Sequence, residues 1–94
     1  MQGYDARIPE NTLVIFPNPS TGKGTIQYSL KNSSHVEITV VDLIGRQVAK
    51  PVDERKPGGT FLYEWDFGNL PEGIYLFILR SESGTCTTRC ILTR

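Results

Sequence analysis

His35-Val36-Glu37-Ile38-Thr39-Val40-Val41, then Asp42-Leu43-Ile44-Gly45, then Arg46-Gln47-Val48-Ala49-Lys50, is the stretch that decides the fold class. Val36, Ile38 and Val40 alternate with His35, Glu37 and Thr39, the two-residue period of a strand with one buried face. Asp first and Gly fourth suit a type I turn, and Gly45 can take the positive φ that closes a hairpin. Residues 46–50 then return as a partner strand. The segment therefore reads as a β-hairpin, and no stretch of the chain reads as a helix.

The same pattern extends both ways. Upstream, residues 13–16 form a short first strand stopped by Pro17-Asn18-Pro19-Ser20-Thr21-Gly22, whose prolines cannot donate to a ladder. Residues 25–30 put Ile26, Tyr28 and Leu30 on one face. Downstream, residues 51–59 read as a polar connection ending in Pro57-Gly58-Gly59, suited to crossing between sheets. Residues 60–66 follow, with Phe61, Tyr63 and Trp65 sharing a face expected to be core. Residues 74–80 are apolar at nearly every position, as in a central strand covered on both sides. Residues 85–93 form a last, Thr-rich strand with Cys86, Cys90 and Leu92 facing one way. Seven strands in one domain, residues 13–94, are the proportions of an immunoglobulin-like β-sandwich, with residues 1–12 a linker or tail. Trp65 and Tyr75 are expected to anchor its core. Tyr75, after Leu70-Pro71-Glu72-Gly73, stands where a tyrosine corner would bond upstream backbone.

Bulk properties narrow the function. The chain has 94 residues, with 10 Lys plus Arg against 10 Asp plus Glu, so no global field draws nucleic acid or an anionic membrane. Its longest apolar run, residues 74–79, is far short of the roughly 20 residues a membrane-spanning helix needs. The first residues lack a basic stretch followed by an apolar one, so any export signal would lie upstream. Cys86 and Cys90, four apart on a strand, span about 13 Å, beyond disulfide reach, and read as free apolar thiols. His35 is the single histidine, on an outward strand position with no evident partner. No nucleophile–base pair, metal-ligand spacing or phosphate loop is legible, so no catalytic residue, metal or cofactor is expected. Asp42, Asp53, Glu54, Asp66 and Glu72 read as solvated carboxylates in or near loops, and Asn32-Ser33-Ser34 is a chance-level glycosylation sequon.

Several short motifs occur in a fixed order: Phe16-Pro17-Asn18-Pro19-Ser20, then Val41-Asp42-Leu43-Ile44-Gly45-Arg46-Gln47-Val48, then Pro57-Gly58-Gly59-Thr60, Trp65-Asp66 and Leu70-Pro71-Glu72-Gly73-Ile74-Tyr75. Together with a strand that stops at Arg94, this set resembles the type A C-terminal sorting domain of the type IX secretion system, over residue 13 to the end. The Ig-like domain of flagellar hook-capping proteins shares several of these features. The resemblance implies a non-catalytic address on an upstream cargo domain that is exported through the periplasm of a Gram-negative bacterium. Its implied partners are an outer-membrane translocon or shuttle components and a sortase-like peptidase that cuts near or before Leu13. The destination is the cell surface or the medium.

Within the motifs, Pro17, Asn18, Pro19, Asp42, Gly45, Trp65, Leu70, Gly73 and Tyr75 read as structural. Arg46 has no structural duty on this reading and is expected to contact the receptor. The last strand, ending at the C-terminus, is expected to lie at a sheet edge and to add to a receptor sheet, with Thr85, Thr87, Arg89, Ile91, Thr93 and Arg94 as recognition residues. The alternative is a structural or adhesive Ig-like module, and a homodimer is among the partners left open.

Overall fold

Each alternating segment becomes a strand in the computed structural model, which describes residues 11–94. The strands are β1 (Asn11–Phe16), β2 (Lys23–Leu30), β3 (Ser34–Val41), β4 (Gln47–Lys56), β5 (Gly59–Asp66), β6 (Gly73–Ser81) and β7 (Gly84–Leu92). One antiparallel sheet has the order β1-β2-β5 and the other β4-β3-β6-β7, which makes an immunoglobulin-like sandwich. The expected tail lies outside the described residues apart from Asn11 and Thr12, which open β1 opposite Leu30 and Ser29.

The two-residue period places the core. Leu13 and Ile15 of β1, Ile26, Tyr28 and Leu30 of β2, Val36, Ile38 and Val40 of β3, and Tyr75, Phe77 and Leu79 of β6 all face the space between the sheets and are buried. Each such side chain contributes about 1.5 to 3 kcal/mol on leaving water. Cys90 and Leu92 complete the layer from β7, and Cys86 packs at its margin. Both thiols are free, and burial pushes that of Cys90 up from its ordinary range.

β4 corrects the sequence reading. It runs to Lys56 rather than ending at Lys50, so Asp53 and Glu54 lie on a strand and not in a loop. Proline ordinarily interrupts a ladder, yet Pro51 stands on an edge strand where the register slips between Ile38↔Val52 and Val40↔Ala49. Edges and bulges are the places where a sheet tolerates proline. The connection between the sheets is only Pro57-Gly58, and Gly58 is required there: a Cβ on it would sit 2.9 Å from the Lys31 carbonyl oxygen of the β2–β3 crossing.

Two further expectations change. Tyr63 is 40% exposed and does not belong to the core, because β5 is a sheet edge with β2 as its one lateral neighbour, whereas Phe61 and Trp65 pack at the core's rim. The aromatic centre is instead Phe67, two residues further along the same face. Its ring lies 5.8 Å from Trp65, 5.8 Å from Tyr75 and 6.1 Å from Phe77, in the tilted and edge-on arrangements that aromatic quadrupoles favour. β6 is central, as expected, but only its inward face is buried; Ile74, Leu76 and Ile78 on the other face remain half-buried.

Candidate recognition surface

The β3–β4 turn is built by one carboxylate. Asp42 Oδ1 accepts from the backbone N–H of Ile44 at 3.0 Å and of Arg46 at 2.9 Å, while Oδ2 accepts from Arg46 Nε at 2.9 Å. Gly45 N–H donates to the Asp42 carbonyl at 3.0 Å, and Gly45 itself has φ +95, a conformation that a Cβ disfavours. The backbone N–H of Arg46, above all, holds the Asp42 carboxyl below the usual carboxylate range. Arg46 thus has a structural duty that sequence reading denied it, although its side chain is 74% exposed. The turn fixes Leu43 and Ile44 at the tip, 67% and 81% exposed.

β7 lies at the edge of the four-stranded sheet. Half of that edge is already taken. Asn18 Nδ2 donates to the Arg89 carbonyl at 2.9 Å, and Ile91 N–H donates to Asn18 Oδ1 at 3.0 Å. The buried Ser20 continues the clamp, its N–H donating to Ile91 O at 2.7 Å and its carbonyl accepting from Thr93 N–H at 2.8 Å. The odd-numbered residues of β7 therefore turn their backbone groups outward, and from the Arg89 carbonyl onward these are paired within the chain. The backbone groups of Thr85 and Thr87 and the N–H of Arg89 are what this edge still offers to another strand. Arg94 is also engaged, its guanidinium donating to the carbonyls of Gly68 at 2.6 Å and Leu70 at 2.7 Å. Tyr75 forms the expected corner, its hydroxyl donating to Pro71 O at 2.5 Å.

The clamp was half legible. Phe16-Pro17-Asn18-Pro19-Ser20 stands out as a motif, but the sequence assigns Ser20 no role of its own, since only the fold carries residues 18–20 across to β7.

The side chains of the odd β7 residues share the outer face of the four-stranded sheet with their neighbours. Register sets Thr39, Ile78 and Thr87 in one row, Val41, Leu76 and Arg89 in the next, and Ile74 with Ile91 in the last. These rows lead toward the β3–β4 turn, beside which a groove of about 430 Å³ is lined by Leu43, Arg46, Val48, Leu70, Glu72 and Tyr75. Arg46, Thr87, Arg89 and Ile91 are thus gathered on one side of the molecule, whereas Arg94 is folded back against the β5–β6 connection.

The other end of this outer face is charged. His35, expected to stand alone, has Nε2 2.6 Å from Asp53 Oδ1. Lys50 Nζ donates to Glu37 at 3.2 Å and to Asp53 at 3.5 Å, and Arg55 pairs with Glu82 at 2.9 Å. The hydrogen bond from His35, followed by the Lys50 charge, holds the Asp53 carboxyl below its ordinary range. His35, Glu37 and Asp53 offer ligand atoms within 4.8 Å of one another, but the Lys50 ammonium already sits between the two carboxylates. Cys86 and Cys90 face inward and His35 outward, so thiols and imidazole lie on opposite sides of the sheet.

Residues 14–93 match the family described as the secretion system C-terminal sorting domain. No curated protein matches the chain. The matched span takes in β1 from Val14 onward, all of β2 to β7, the Asn18–Ser20 clamp and the β3–β4 turn. The chain belongs to the secretion system C-terminal sorting domains, the type IX export signals that take bacterial proteins to the cell surface or the extracellular space.

Proposed function

We propose that this domain is a folded, non-catalytic address for an upstream cargo in a Gram-negative bacterium, read at the outer-membrane translocon or by its shuttle components. The reading takes place on the outer side-chain face of β3, β6 and β7 and on the β3–β4 tip. One observation supports this above others. Val41, Ile74, Leu76, Ile78 and Ile91 form a half-buried apolar field that no described element covers, and it is framed by Arg46, Arg89 and the exposed tip pair Leu43 and Ile44. An uncovered apolar field rimmed by polar groups is the usual form of a protein-binding surface. Backbone addition at β7 past Arg89 is blocked by the Asn18–Ser20 clamp, so side chains carry recognition there. After translocation, a sortase-like peptidase removes the domain near or before Leu13, and the cargo is released or joined to anionic lipopolysaccharide.

The test fuses the 94-residue chain to a periplasm-directed reporter in a bacterium with type IX machinery. The parent fusion is expected in the medium or on the cell surface, and a fusion lacking residues 85–94 in the periplasm. An Ile44→Glu/Arg89→Glu fusion, shown folded by circular dichroism, is expected to be retained as well. Retention of the parent fusion would reject the sorting role, whereas export of the double variant at the parent's level would reject this face and leave the sorting role standing.

A further inference from the structure

Strand edges are the places where a sheet recruits another chain, and proteins usually blunt them. Three of the four edges here are blunted. β4 carries Pro51, a slipped register and the charged run Asp53-Glu54-Arg55-Lys56. β7 is clamped from Arg89 onward by Asn18 and Ser20. β1 is six residues long and runs against β7.

β5 has none of these devices. Its eight residues pair with β2 in unbroken register from Gly59↔Leu30 to Asp66↔Lys23, and it contains no proline. Phe67 N–H donates to the Gly22 carbonyl at 2.8 Å, one pair further in the same register. Odd-numbered residues of β5 therefore turn their backbone groups toward β2, and Thr60, Leu62 and Glu64 turn theirs outward. Among the described residues nothing pairs with that edge. The side chains beside it are apolar and exposed: Leu62 at 66% and Tyr63 at 40%.

We propose that β5 pairs antiparallel with β5 of a second copy of this chain, about a twofold axis at Leu62, joining two three-stranded sheets into one of six strands. That register sets Leu62 opposite Leu62 and Phe61 opposite Tyr63, so apolar side chains meet on both faces. It sets Glu64 opposite Thr60 and Asp66 opposite Gly58, so each carboxylate meets a neutral residue. The two Glu64 side chains stand four residues apart along the strands, about 13 Å. Moving the axis by one residue to Tyr63 would instead oppose Leu62 and Glu64. On the outer face the row Val14, Gln27, Leu62 continues into Leu62, Gln27, Val14 of the second copy. A single strand pair covers less than the roughly 1,200 to 2,000 Å² of stable complexes, so the dimer is weak and forms with concentration. This inference does not depend on the sorting role.

Sedimentation equilibrium of the 94-residue chain from about 10 µM to 1 mM, the range of a weak interface, is expected to show mass rising from monomer toward dimer. Leu62→Lys, an exposed change that opposes two ammonium groups at the axis, is expected to stay monomeric with unaltered thermal unfolding. Leu62→Cys supplies a second measurement. Opposed residues of a hydrogen-bonded pair have Cα atoms about 5.5 Å apart, within disulfide range, so mild oxidation should give at least tenfold more covalent dimer than the parent or Thr25→Cys gives. Three results would overturn the proposal: a parent chain that stays monomeric at 1 mM; a Leu62→Lys chain that dimerises as the parent does; or no excess cross-linking at position 62.

Discussion

Replacing Asn18 by alanine isolates the clamp on the last strand. The side chain makes two hydrogen bonds to β7, at 2.9 Å to Arg89 O and 3.0 Å from Ile91 N–H. Each bond is worth about 0.5 to 1.5 kcal/mol net, and since both are exposed to water the lower half of that range applies, giving about 1 to 2 kcal/mol in all. For a domain of this size that corresponds to a fall in melting temperature of about 5 to 12 °C.

Amide exchange makes the prediction specific to the geometry. Ile91 N–H loses its one acceptor outside the β6 ladder and should exchange faster in the variant. Thr93 N–H donates to Ser20 O at 2.8 Å, a backbone contact the substitution leaves in place, and should keep its protection. Asn18→Asp adds a sign test: a carboxylate still accepts from Ile91 but is set against the Arg89 carbonyl, so it should be less stable at pH 7 than Asn18→Ala. Melting within about 1 °C of the parent, together with unchanged Ile91 exchange, would refute the clamp.

Tyr75→Phe removes the corner bond to Pro71 O and should cost about 0.5 to 1.5 kcal/mol by urea unfolding; no measurable loss would count against the corner. Phe67→Ala should cost about 3 to 5 kcal/mol in the same assay, a large part of a total near 5 to 15 kcal/mol, and a loss below about 1 kcal/mol would show that its ring is not the aromatic centre. Acid should destabilise the fold through Asp42, Asp53 and Glu82, all held below their ordinary values by hydrogen bonds from Arg46, His35 and Arg55 respectively. Near pH 4 the unfolded chain binds more protons than the folded one, so their contribution is complete above about pH 5 and fades as pH falls through the folded values; Asp53→Asn should flatten this limb of a pH-dependent unfolding series. Thiol labelling of the native protein should modify Cys86, which is partly exposed, while sparing Cys90, which is fully buried with a raised thiol pKa; equal labelling rates would contradict that placement.

The legible parts of the fold were those governed by short-range periodicity. Val36, Ile38 and Val40 declare an inward face at a spacing of two, and Asp42 and Gly45 declare the turn that follows, because strand pleat and turn geometry are local properties. Errors gathered where a partner strand decides the outcome. Pro51 reads as a break until the edge position and slipped register of β4 are known, and Tyr63 reads as core until β5 is known to be an edge. Phe67 continues the spacing of Phe61, Tyr63 and Trp65 by two more residues, but it stands beside Gly68, which reads as the break after a strand ending at Asp66.

The same distinction separates the two kinds of contact the last strand makes. β7 is expected at a sheet edge and lies at one, but whether that edge is open depends on Asn18 and Ser20, more than 70 residues away in sequence. A long-range clamp of this kind costs loop closure before any bond is gained, and here it seals the backbone of the strand that leads to Arg94. Side chains on the outer face are untouched by it. The clamp therefore leaves Thr87, Arg89 and Ile91 displayed beside Leu76 and Ile78 while keeping the backbone from the Arg89 carbonyl onward from pairing with a stray strand. β5 carries no such clamp, so if edge pairing occurs in this molecule it is there that Leu62→Lys must abolish it, and Arg89→Glu must not.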